Sequence, residues 1–141
     1  MKVLFDTNVL LAAFLTEGLC WKLLLKANRK EFSLFTSPYI LNEFEDKLYK
    51  KFTFTKDEAH EAINIIMEVA QSVDHKEKGI HVKGVCRDKN DDDILASAIA
   101  SEADYLITGD SDLLALKKYK NIKILNPREF ELLLVNIEIR E

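Results

Sequence analysis

The stretch RDKNDDDILASAIASEADYLITGDSDLL, from Arg87 to Leu114, holds eight acidic residues, several of them beside apolar runs. Two more stand apart: Asp6 closes the apolar run KVLF, and Glu43 lies within LNEF. Carboxylates held together raise one another's pKa unless a cation neutralises them. No lysine or arginine lies beside Asp6, Asp92 or Asp110 in sequence. A hard divalent ion is the simplest compensation, and oxygen-only ligands point to Mg²⁺ or Mn²⁺. Such an ion makes a bound water more acidic and offsets negative charge on a bound group.

Each acid taken alone has an ordinary explanation. Aspartate at a helix start caps free N–H groups and suits the helix dipole, which accounts for Asp88, Asp91 and Asp93. Asp110 in TGDSDL reads equally as a turn and cap residue. Asp6 fits that account poorly, since an unpaired carboxylate closing a buried strand is expensive. Two rival sites fail on the letters. A calcium loop beginning at Asp88 would need glycine where Asp93 stands and glutamate where Ile99 stands. A phosphatase using two aspartates after its first strand would need an acid where Asn8 stands. His60, His75 and His81 fall in segments away from the expected site and read as surface or structural residues.

The elements that must position these acids follow from periodicity. A chain of 141 residues with 48% hydrophobic content suits one domain with a real core. KVLF (2–5), SLFTS (33–37), YLIT (105–108) and IKIL (122–125) read as strands, with a weaker one at His81 to Val85. Helical spacing marks Asn8 to Lys30 with a break near Gly18, a helix opened by Pro38, one after Thr55, one from Asp91 to Glu102, and one from Pro127. Alternation of strands and helices predicts an α/β fold: a single-domain, three-layer α/β/α sandwich with a mostly parallel sheet of about five strands. The tail VNIEIRE alternates like a strand but has no evident partner.

In such a sheet the carboxyl ends of the strands and the starts of the following helices share one edge. Asp6, Glu43, the run Asp91 to Asp93, Asp110 and Asp112 all fall there. Basic residues gather in three places that could flank such a rim. These are Lys22, Lys26, Arg29 and Lys30; Lys47, Lys50, Lys51 and Lys56 with Tyr49, Phe52 and Phe54 interleaved; and Arg87.

FDTN, LNEF, DDDILASA and LITGDSDLL, in that order, resemble the PIN domain, closest to the VapC-like toxins of toxin–antitoxin systems. The resemblance covers nearly the whole chain, with residues 1–135 as the PIN-like nuclease domain and 136–141 as a C-terminal tail. It implies a Mg²⁺- or Mn²⁺-dependent endoribonuclease with one or two ions per chain. Asp6, Glu43, Asp92, Asp110 and Asp112 take the family's catalytic acid positions. Asp6, Asp92 and Asp110 would be metal ligands, and Glu43 would hold a water. Asp112 would orient a neighbour or hold a second ion. Asn8 and Thr108 would support the acids, with Asp91 as the alternative to Asp92. Arg87, Lys50 and Lys51 would meet the RNA. The expected partners are RNA, a cognate antitoxin and a second copy of the chain. Two alternatives stand beside this reading: a PIN module that binds RNA or protein without cutting, and a metal-dependent DNA or structure-specific nuclease.

Cys20 and Cys86 lie far apart without a CxxC and read as reduced thiols, which with the absence of a long apolar run predicts a cytoplasmic protein away from membranes.

Overall fold

A computed structural model describes residues 1–140 of the chain. β1 (Lys2–Phe5) leads into α1 (Thr7–Leu15) and α2 (Leu19–Asn28), two helices bent by 103° across Thr16 to Gly18. β2 (Ser33–Thr36) precedes α3 (Pro38–Lys51), which Ser37 caps by accepting the Ile40 N–H. α4 (Lys56–Val69) opens on a reciprocal cap between Thr55 and Glu58 and runs directly into β3 (Ala70–Ser72). After a long connection come α5 (Lys89–Ala100), β4 (Tyr105–Ile107), α6 (Ser111–Leu116), β5 (Lys118–Tyr119), β6 (Ile122–Leu125) and α7 (Pro127–Arg140).

The strands form one sheet in the order β3-β2-β1-β4-β6-β5. All neighbours are parallel except the short edge pair β5–β6. Helices flank the sheet, as the alternating pattern predicts. β1 is central, and its Val3, Leu4 and Phe5 are fully buried. Ile40, Phe44, Leu48, Ile66, Leu95, Leu106, Ile107 and Phe130 complete the interior. Phe5, Phe32 and Phe130 meet as an aromatic trio with centroids 5.0–6.4 Å apart. This core holds the carboxyl ends of the central strands in fixed register.

Two expectations change. The third strand lies at Ala70–Ser72, not at His81 to Val85. Gly79 and Gly84 both have φ of +69° and turn the later segment out of any ladder. The N–H groups of Gly84 and Cys86 are instead taken by the Asp92 carboxylate. The alternating residues near the C-terminus are the last turns of α7, which continues to Arg140; the final position of the expected tail lies outside the described residues. No single helix among them is long and apolar enough to cross a membrane.

The strand order places a topological switch between β1 and β4. From β1 the chain builds outward through β2 to β3, then returns through α5 to β4 on the other side. Open α/β sheets form ligand sites in the crevice outside such a point. Here Asp6 follows β1 and Thr108 follows β4, and the Asp6 N–H donates to the Ile107 carbonyl at 2.9 Å.

Candidate metal centre and active site

Asp6 is 5% exposed and caps α1. Its Oδ1 accepts the Thr7 N–H at 2.7 Å, and its Oδ2 accepts the Thr108 hydroxyl at 2.7 Å. The buried Thr108 Oγ1 in turn accepts the Asp110 N–H at 3.0 Å. One hydroxyl thus locks the end of β1 to the start of α6. Asp110 caps α6, its Oδ2 accepting the Leu113 N–H at 3.0 Å. Capping explains the local conformation of both aspartates and leaves each carboxylate further lone pairs for an ion.

Asp91, Asp110 and Asp112 each offer a carboxylate oxygen, and the three lie within 4.8 Å of one another. The Asp91 carboxyl is pushed up to about 7, first by burial, then by the charge of Asp110, its hydrogen bond with Asp110, and the charges of Asp88 and Asp6. Asp6 is also raised, chiefly by burial and further by Glu43 and Asp110, against the opposing bonds from Thr108 and Thr7. Glu43 is half-buried in the second turn of α3 and is felt electrostatically at Asp6. Five acids from four segments therefore share one field. Among the described residues, Arg87 is the one cation in an ion pair with them, its Nη2 donating to Asp112 Oδ1 at 2.6 Å.

The adjacent aspartates divide differently from the sequence expectation. Asp92 is 4% exposed, and its two carboxylate oxygens accept the backbone N–H groups of Gly84 (3.0 Å) and Cys86 (2.8 Å). It is turned towards the β3–α5 connection, outside the trio that could grip an ion. Asp91, the alternative, joins that trio. The two are adjacent on α5 and about 100° apart around its axis, so they meet different neighbours: Asp92 the Gly84 and Cys86 N–H groups, and Asp91 the Asp110 carboxylate.

The other expected residues are dispersed. Asn8 is exposed in the first turn of α1 and makes no side-chain hydrogen bond to the acids among the described residues. Lys50 and Lys51 are exposed in the last turn of α3, about 10 Å along the axis beyond Glu43. Lys26, Arg29 and Lys30 gather with Met1 and α7 at the opposite end of β1 from Asp6, so they do not flank the rim. His75 is a correction of another kind. It is 2% exposed at the rim itself, 3.3 Å from Ser97 Oγ and 3.4 Å from Asp93 Oδ1. Its segment is not strand-bound, which is why spacing alone placed it elsewhere.

The residues fit a hard divalent ion. The donors are all oxygen, and carboxyls raised by mutual repulsion and burial are those that a cation would relieve. Thr7, beside Asp6, carries a hydroxyl that is buried without a hydrogen-bond partner. Asp6, Asp91 and Asp110, with Asp112 and Glu43 beside them, could hold one or two such ions.

The sequence matches a family model described as a PIN domain over residues 2–112. In fold, the chain is similar to a solved structure described as VapBC2 from Rickettsia felis bound to a DNA fragment from their promoter. The TM-score is 0.63 at 21% identity, covering 89% of this chain and 98% of that one. No curated protein matches the chain significantly in sequence.

Proposed function

The chain belongs to the PIN-domain family, and on that premise we propose that it is a Mg²⁺- or Mn²⁺-dependent endoribonuclease, the toxin of a toxin–antitoxin pair. PIN domains are in general metal-dependent nucleases, and every acid position of the family pattern is filled here. The observation that carries the proposal is the cluster of Asp91, Asp110 and Asp112 beside the buried Asp6 at the switch point. A non-cutting PIN module gives no reason to keep an Asp91 carboxyl that burial first, and then the charge of Asp110, push up to about 7.

Asp6, Asp91 and Asp110 would hold the ion or ions, in place of the set with Asp92. A bound divalent ion supplies an activated water and charge relief at the phosphate. The chain's own groups do the rest. The Thr108 hydroxyl fixes the Asp6 carboxylate in one orientation. Glu43 accepts a proton from the attacking water at its carboxylate. Arg87 restrains Asp112 and brings one positive charge to the edge of the site.

An antitoxin partner is proposed because the similar structure is a complex described as VapBC2. The homodimer is proposed from apolar surface. Leu15, Ile65 and Met67 are exposed, and Phe14, Leu15, Trp21 and Ile65 line one shallow groove. A cytoplasmic setting accords with the two free cysteines.

The test is incubation of purified protein with mixed cellular RNA and with single-stranded DNA, in Mg²⁺, Mn²⁺ or EDTA, with Asp6→Asn as control. The reading expects RNA cleavage that requires the ion and disappears in the variant. Cleavage that persists in EDTA or in Asp6→Asn would overturn it, and DNA cleavage without RNA cleavage would favour the other nuclease reading.

A further inference from the structure

The connection from Val73 to Asp88 has no regular secondary structure, and loops of that length in compact domains are usually functional. It passes over the start of α5 and, with it, lines an open cleft of about 530 Å³. That volume is within the usual range for small-ligand sites, roughly 300–1,000 Å³. Lys76, Lys83, Arg87 and Lys89 all line it. The two acids in its wall are already engaged: Asp92 accepts two backbone N–H groups, and Asp93 faces His75. In a chain of net charge -4, this is a concentration of positive charge on a concave surface.

The cavity is built rather than incidental. Asp92 pins the loop at Gly84 and Cys86. Lys78 Nζ ties it to the Ala100 carbonyl at 2.9 Å. The buried His75 fastens its start to Ser97 and Asp93. Such restraint lowers the ordering cost of binding. The cavity and the acidic centre share one residue: Arg87 belongs to the cavity wall and donates to Asp112 of the acid cluster. On its other side, His75 and Lys76 also line a second cavity that contains Glu43, Tyr39 and Lys47.

Resting on the ribonuclease reading, we propose that this loop-bound concavity is a cradle for the phosphates of an RNA strand next to the bond being cut. Lys76, Lys83 and Lys89 contact phosphate, and Arg87 marks the passage from cradle to acidic centre. A polyanion at an acidic rim needs an adjacent positive track, and the cradle supplies one that ends at the acids. Asp92 is then a positioning residue that holds the cradle in place. An acidic protein segment is the other polyanion such a surface could take. RNA is favoured because Arg87, in the cradle wall, also pairs with Asp112 of the acid cluster.

The test compares two triple variants, each in the Asp6→Asn background so that bound RNA survives. One is Lys76→Gln/Lys83→Gln/Lys89→Gln. The other, Lys22→Gln/Arg29→Gln/Lys30→Gln, removes the same charge away from the cradle. Binding of a fluorescent 12-nucleotide RNA is measured from 50 to 300 mM KCl. Each lost phosphate contact on a single strand lowers the salt slope by about 0.7, so the cradle variant should lose about 2 and bind at least tenfold more weakly. The remote variant should stay within about twofold, and Mn²⁺ affinity by calorimetry, measured on both triple variants with Asp6 intact, should be unchanged. Equal loss in both variants, or none in the cradle variant, overturns the cradle while leaving the nuclease reading intact. Unchanged RNA affinity with lost binding to polyglutamate assigns the surface to an acidic protein instead. An Asp6→Asn parent that is folded yet binds no RNA at 50 mM KCl, while the wild-type protein binds Mn²⁺, overturns both readings.

Discussion

Replacing Asp91 with asparagine should make the metal-free protein more stable and the enzyme inactive. Asp91 titrates at about 7 instead of near 3.8 because burial and Asp110 disfavour its charge. A displacement of that size corresponds to roughly 4 kcal/mol if nothing screened it. The site is a rim that solvent reaches, so about 1–2 kcal/mol should survive. Asparagine mimics the protonated carboxyl, and its amide can still donate to Asp110. In a domain of this size that gain raises Tm by roughly 2–8 °C. The same substitution removes a ligand. Wild-type protein at a hundredfold excess of Mn²⁺ over Kd should gain about 2.7 kcal/mol, and most of that gain should vanish in Asp91→Asn. Thermal melts at pH 7.5 with and without Mn²⁺, run beside an RNA cleavage assay, read all three effects. A variant that is less stable without metal, is stabilised by Mn²⁺ like wild type and still cleaves would refute the reasoning.

Two further outcomes follow from the same geometry. Asp92→Asn keeps one acceptor oxygen and sets an NH₂ against the other backbone N–H, so it should cost about 1–3 kcal/mol. Melts should show a lower Tm with the Mn²⁺-induced rise retained, whereas loss of that rise at unchanged stability would make Asp92 a ligand. The metal-free protein should also lose stability as pH rises from about 4 to about 7. Between those values folded Asp91 keeps a proton that the unfolded chain has released, so its contribution is fully present at low pH and lost through about 7. Asp6 acts in the same direction. Urea denaturation in EDTA at pH 5 and pH 7.5 measures this, and in saturating Mn²⁺ the decline should disappear.

The sheet was legible because β1, β2, β4 and β6 are short apolar runs, each followed by turn or cap chemistry. β3 was not, since Ala70 to Ser72 carries no apolar signature and continues a helical stripe without a break. Val82 and Val85 offered a false alternation, which Gly79 and Gly84 undo. The rim was legible because strand ends in a parallel sheet must share an edge, and Asp6 is hard to explain as a cap alone. The division between Asp91 and Asp92 was hidden by adjacency. Adjacent residues are about 100° apart on a helix, and only the fold shows that the Gly84 and Cys86 N–H groups meet one aspartate while Asp110 meets the other. The cradle was illegible for another reason. Lys76, Lys83 and Lys89 are scattered among acids in sequence, and the loop's path alone turns them to one concave wall.

Which carboxylates hold an ion decides the chemistry of the rim. A crystal grown or soaked in Mn²⁺ and measured for anomalous scattering addresses this directly. The prediction is a peak bounded by oxygens of Asp6, Asp91 and Asp110, with Asp92 still bonded to Gly84 and Cys86. A Mn²⁺ peak on Asp92 with Asp91 turned away, or no peak at these acids at saturating Mn²⁺, would contradict it.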